Sequence, residues 1–143
     1  MTNTQVSDEL SRKGIRFNLL SKGSRELSDL ETAFEEMVKL NRVAEIDWST
    51  AKNVSSFSSE NYAELFKMAE KHISDVFLED LTASTISVIP FDGNNPTIVL
   101  PVDEAIKAVE IFLELEPLWV VSFSKKWCFE WRRSSNITSG YFF

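Results

Sequence analysis

The sequence predicts an α+β fold: an antiparallel sheet of two hairpins packed in two layers against about three helices. Three observations predict it. Tyr62, Leu65, Phe66, Ala69, Ile73, Val76 and Phe77 recur at helical spacing. Two β-rich runs, Thr82–Phe91 and Thr97–Leu100, flank the breaker cluster Asp92-Gly93-Asn94-Asn95-Pro96, which reads as a hairpin. In Trp127–Arg133, Trp127, Phe129 and Trp131 alternate with Cys128, Glu130 and Arg132, so one strand face is wholly aromatic and is expected to be buried against helices.

Taken in chain order, residues 1–14 are polar and are expected to form a flexible lead-in to a single domain spanning 1–143. Ile15–Leu20 fits a short strand or a first helical turn. A helix is expected from Ser28 to about Glu45, because Ser28-Asp29-Leu30-Glu31 has the form of a capping box. Leu30, Phe34, Met37, Leu40 and Ala44 would form its apolar stripe. Asp47–Ser58, rich in Ser and Asn, reads as a loop holding Trp48 and Phe57. The second helix is expected from a cap at Ser58 or Ser59 to about Glu79. A third helix begins at Pro101, whose missing N–H costs nothing in a first turn, and stops at Pro117. Leu118–Ser124 and Trp127–Arg133 form the second hairpin, turning at Ser124-Lys125-Lys126, and the aromatic tail from Ser134 is expected to dock on the body.

Composition limits the function classes. The chain is 43 % hydrophobic and 26 % charged, which supports one folded core. The N-terminal decapeptide lacks the apolar stretch of a secretory signal, no apolar run is long enough for a membrane span, and the single Cys128 can form no internal disulfide. A cytoplasmic protein that does not act on membranes is the expectation. Residues 1–25 hold five Lys/Arg against two Asp/Glu, residues 26–117 six against nineteen, and residues 118–143 four against one. The acidic middle repels nucleic acid and attracts cationic surfaces, although it also fits a plain solvated surface.

The sequence offers few materials for catalysis. His72 is the only histidine, so any mechanism needing imidazole must use it, and it reads most simply as an exposed helix residue near Asp75. Cys128 reads as a packed thiol, and no spacing of Cys, His or acidic residues forms a metal site. Gly14, Gly23, Gly93 and Gly140 form no phosphate-binding pattern. No cofactor, no metal and no catalytic residues are expected, and the chain is read as a non-enzyme.

Two surfaces remain as binding candidates. The first is acidic: Asp103, Glu104, Glu110 and Glu114 on the third helix, with Glu70 and Asp75 on the second. Clustered carboxylates on rigid helices suit a cationic protein partner. The alternative is the last hairpin, where Trp127 and Trp131 sit among Lys125 and Lys126, an aromatic and basic platform for an adaptor or regulatory subunit. A small enzyme built on His72 is a further alternative.

The stretch Ile98-Val99-Leu100-Pro101-Val102-Asp103-Glu104-Ala105-Ile106-Lys107-Ala108-Val109-Glu110-Ile111-Phe112-Leu113, followed by Pro117 and Trp119, resembles a segment of immunity proteins from bacterial polymorphic toxin systems of the contact-dependent inhibition type. There a strand leads into a Pro-led acidic helix ending in Phe-Leu and then a Trp-bearing strand. The resemblance covers only this part of the chain, and the long aromatic last hairpin departs from it. It implies a protein that binds and neutralises a cognate toxin domain, and it carries over no catalytic residue.

Overall fold

The computed structural model describes residues 3–41, 45–91, 95–113, 115, 117–132 and 136–143. Along the chain they form α1 (Asn3–Arg12), β1 (Asn18–Leu20), α2 (Arg25–Met37), β2 (Lys52–Ser58), α3 (Tyr62–Val76), β3 (Thr85–Pro90), β4 (Thr97–Pro101), α4 (Val102–Lys107), α5 (Val109–Leu113), β5 (Leu118–Ser122), β6 (Trp127–Arg132) and β7 (Asn136–Tyr141). The strands make one seven-stranded antiparallel sheet in the order β1-β4-β3-β5-β6-β7-β2. The α+β class is as expected from the sequence, and both expected hairpins, β3–β4 and β5–β6, pair antiparallel.

The larger core lies between one sheet face and α1, α3, α4 and α5. Leu65, Ala69, Ile73 and Phe77 from α3 and the residue after it meet Ile86, Val88, Ile98, Leu100, Leu118 and Val120, and the aromatic row Trp127, Phe129 and Trp131 completes it. The opposite face is not bare. Phe34 of α2 lies 4.9 Å from Trp119 between ring centroids, and Val38, Ile46, Ile89, Val121 and Cys128 are buried with it. Helix α2 therefore forms a third layer, where two were expected. Its cost to β6 is a buried carboxylate, Glu130, which accepts hydrogen bonds from Trp119 Nε1 at 2.9 Å and Arg132 Nε at 2.8 Å.

Several sequence expectations are corrected. The lead-in is helical over Asn3–Arg12, with Val6 and Leu10 in the core. Four residues apart, they share a helix face, and a pair of apolar side chains in a polar segment is a faint signal. Helix α2 starts earlier than Ser28, since Ser24 Oγ accepts the Leu27 N–H at 3.2 Å. It also ends at Met37; Lys39 and Asn41 then pair back to Asp47 and Glu45 through backbone hydrogen bonds of 2.7 Å. Helix α3 is capped by Asn61, whose Oδ1 accepts the Glu64 N–H, while Ser59 Oγ accepts the Asn61 N–H. The third helix breaks at Ala108 into α4 and α5, and Pro101 is its cap residue. The turn at 92–94, and Ala44, Glu114 and Arg133, lie outside the described residues.

Two strands were unforeseen. β2 occupies the Ser-rich stretch read as a loop, and β7 occupies the tail. They pair with each other because Gly140 lets the strands close: a Cβ there would stand 3.2 Å from Ala51 Cβ and 3.3 Å from Val54 Cγ2.

Candidate functional site

Both open cavities of note flank one feature, the β5–β6 turn at Phe123–Lys126. Backbone and side chain combine to build it. Lys126 adopts φ 54°, a left-handed conformation, and Ser122 Oγ accepts the Lys125 N–H at 3.2 Å. On the α3 side of the sheet lies a cavity of about 240 Å³ lined by Asp75, Val76, Leu78, Glu79, Asp80 and Lys125. On the α2 side lies one of about 330 Å³ lined by Ala33, Glu36, Met37, Phe123, Lys126 and Phe142.

The first cavity is the more distinctive. Leu78 is 71 % exposed, the most exposed of the large apolar side chains described, and three carboxylates surround it. Asp80 is held in place by its Oδ2 atom, which accepts Ser84 Oγ at 2.7 Å and lies 3.4 Å from Lys125 Nζ. The Ser84 hydrogen bond holds the Asp80 carboxyl below its ordinary range against the opposing effect of desolvation, and Lys125 adds to the lowering. Its Oδ1 atom is buried and has no hydrogen-bond donor among the described residues. Lys125 Nζ also lies 5.3 Å from the Phe77 ring centroid, which holds the one basic side chain among the described lining residues against the core.

The expected acidic residues are divided by the fold. Asp75 lines this cavity, and its Oδ2 holds Lys71 Nζ at 2.8 Å one turn away. That hydrogen bond raises the Lys71 pKa. Asp103 comes to the same region, because its N–H donates to the Leu81 carbonyl at 3.1 Å, one residue beyond Asp80. Glu70 is half-buried further up α3, and Glu110 is exposed on α5. Glu114 lies outside the described residues.

Glu104 does not present itself to a partner. It is 6 % exposed; Arg16 donates to it from the backbone N–H at 3.3 Å and from Nε at 3.2 Å. Burial alone would raise its carboxyl pKa, but the Arg16 hydrogen bonds and the positive charge of Lys107 hold it below the usual range. Its role is to tie α4 to the segment before β1.

The aromatic platform is likewise corrected. Trp127 and Trp131 are each 1 % exposed, so the hairpin's rings are core and offer no surface. The expectation of an aromatic face buried against helices was right, and it excludes their use as a binding platform. Only Lys125 and Lys126 of that set remain accessible, one half-buried and one exposed.

His72 is not a plain solvent-facing residue. It is half-buried, its Nε2 lies 2.6 Å from Ser139 Oγ, and its ring lies 5.4 Å from Phe57 and 6.1 Å from Trp127. Burial lowers its pKa, with Asp75 opposing and Lys71 assisting. Ser139 is 2 % exposed, so its hydroxyl meets the imidazole and not a solvent-borne substrate. The pair clasps α3 to β7. Cys128 is buried, and burial, with the nearby Glu130 charge, pushes its thiol pKa well up, opposite to what a nucleophile needs.

Among the described residues, no group of three or more His, Cys, Asp or Glu is placed to hold a metal ion, and no helix is long and apolar enough to cross a membrane. No protein-family model matches the chain, and no curated protein matches it either.

The features that sequence reasoning missed here are Leu78 and the partners Arg16 and Ser139. Leu78 carried a signal: it follows Val76 and Phe77 and falls off the apolar stripe, onto the side of Asp75 and Glu79. Arg16 and Ser139 are 88 and 67 residues from the side chains they bind, and no local pattern links them.

Proposed function

We propose that this chain is a non-enzymatic binding domain that neutralises a cationic protein partner, acting in the cytoplasm as an immunity protein against a bacterial toxin domain. One observation carries the reading: Leu78 stands exposed among Asp75, Glu79 and Asp80 at the end of α3. An apolar anchor ringed by charge is the anatomy of an interface centre. The exposed carboxylates of Asp75 and Glu79 give a guanidinium or ammonium group places to donate. The surrounding negative charge would speed encounter with a basic surface and disfavour acidic ones. The strand–helix–strand resemblance supports the same class, and Asp103 brings its helix to this site.

The test is coexpression with candidate cationic toxin domains taken from the genes that flank this chain's own, if they encode any. Rescue of growth is expected, and Leu78→Asp should abolish it while leaving the far-ultraviolet circular dichroism spectrum unchanged. Full rescue by folded Leu78→Asp, or by a variant that reverses Asp75 and Glu79 together, would refute the site.

A further inference from the structure

We propose that the groove between α2 and the β5–β6 turn binds a free α-amino acid with a large apolar side chain. The groove holds about 330 Å³, the scale of a small-ligand site. One wall is fixed by the backbone. The Lys126 N–H donates to the Phe123 carbonyl at 3.4 Å, and the Phe142 N–H donates to the Lys126 carbonyl at 2.7 Å. Trp48 backs Phe142, with 5.7 Å between ring centroids. The other wall is one face of α2, where Ala33, Glu36 and Met37 recur at helical spacing. Met37, Phe123 and Phe142 are half-buried and pack on the smaller core, so the body of the groove is apolar.

The ligand is argued from charge. Glu36 and Lys126 line this one groove and are both exposed, and neither forms an ion pair with the other or with another described residue. The groove therefore offers an unpaired carboxylate and an unpaired ammonium beside aromatic and thioether side chains. A purely anionic ligand meets Glu36 as a like charge, and a purely cationic ligand meets Lys126 in the same way. A molecule that carries both charges next to an apolar body satisfies both. Its ammonium donates to Glu36, and its carboxylate accepts from Lys126. A free α-amino acid has that form, with both charges on one carbon and the side chain beyond them. Within a peptide both charges are gone. The groove lies across the sheet from Leu78 and makes no use of it.

Titration of the full, 15N-labelled chain with L-phenylalanine, read by amide chemical shifts, tests this. Saturable shifts confined to α2, the β5–β6 turn and Phe142 are expected, with a dissociation constant of about 1 mM or below for a ligand of roughly twelve non-hydrogen atoms. 2-Phenylethylamine lacks the carboxylate and 3-phenylpropionate lacks the ammonium; each should bind about tenfold more weakly. N-acetyl-L-phenylalaninamide, which lacks both charges, should bind more weakly still. Glu36→Gln should weaken L-phenylalanine about tenfold without weakening 3-phenylpropionate, and Lys126→Asn should do the same without weakening 2-phenylethylamine. Asn accepts the left-handed φ of 54° at position 126, so the turn is kept. Ala33→Leu should fill the groove and abolish binding. Circular dichroism checks that each variant is folded. No shifts at about 10 mM L-phenylalanine would overturn the proposal, as would saturation at another face of the molecule. So would a singly charged or blocked analogue that binds as tightly as the amino acid, or a folded Ala33→Leu that binds it unchanged.

Discussion

Reversal of one carboxylate on α4 should unfold the protein more readily, while reversal of its near neighbours should not. Glu104→Lys removes the acceptor for two hydrogen bonds from Arg16, at 3.3 Å and 3.2 Å, in a site 6 % exposed. Bonds to charged groups contribute about 1.5–3 kcal/mol each when well formed. These two are long, and the Arg16 side chain is 73 % exposed, so water can replace part of the loss at the guanidinium. The Arg16 backbone N–H has less recourse, and the new ammonium meets a like charge in a mostly dry site. A net cost of about 3 kcal/mol follows. At a typical urea slope, the unfolding midpoint falls by roughly 1 M or more. Tryptophan fluorescence reads this directly, because Trp127 and Trp131 are core residues. Glu110→Lys, on the exposed side of α5, should leave the midpoint in place. Asp103→Lys should alter partner binding more than stability. If Glu104→Lys and Glu110→Lys give the same midpoint, the assignment of Glu104 as a tie to Arg16 is wrong.

Two further outcomes follow from buried groups outside the candidate site. Leu10→Ala should cost about 2–5 kcal/mol in chemical denaturation, because Leu10 is fully buried; a flexible lead-in would show no effect, and that result would refute α1. His72 has a pKa below its ordinary 6.5 in the native state, so the unfolded chain takes the proton first on acidification. Its contribution to stability is therefore complete above pH 6.5 and declines as pH falls from there through the native pKa. The melting temperature should fall over that interval, and His72→Gln should flatten the slope; an unchanged slope in His72→Gln would count against the clasp.

Where the sequence was legible, the signal was dense and local. The α3 stripe is one apolar face repeated over four turns, and burial of Leu65, Ala69 and Ile73 follows from spacing alone. The β6 alternation worked the same way, because period two leaves only one register for three large rings. Failures came where local chemistry offered two equal answers. Ser24 and Ser28 can both cap a helix, and the choice of Ser24 adds one more turn while the chain beyond Met37 folds back. β2 was unreadable for a different reason. An edge strand buries little, so Lys-Asn-Val-Ser-Ser-Phe-Ser needs no apolar alternation, and its identity depends on pairing with residues about eighty positions away.

The same division explains the candidate site. Charge marks the middle of the chain as acidic, but charge cannot say which carboxylates are spent internally. Of two adjacent residues, Asp103 donates its backbone N–H to Leu81 and accepts the Glu104 N–H at its Oδ1, while the Glu104 carboxylate is consumed by Arg16. On a helix, neighbours one residue apart point roughly 100° from each other, so a cluster in sequence is necessarily split between faces. Asp75 and Asp103, 28 positions apart in sequence, come to the same end of the fold instead, because the Leu81–Ser84 segment accepts the first amides of α4. What joins them is therefore the turn after α3, and its exposed Leu78 would supply the proposed interface with an apolar centre that a purely acidic surface lacks. In the proposed interface, acidity would provide attraction at a distance, and the leucine would give that attraction a place to close.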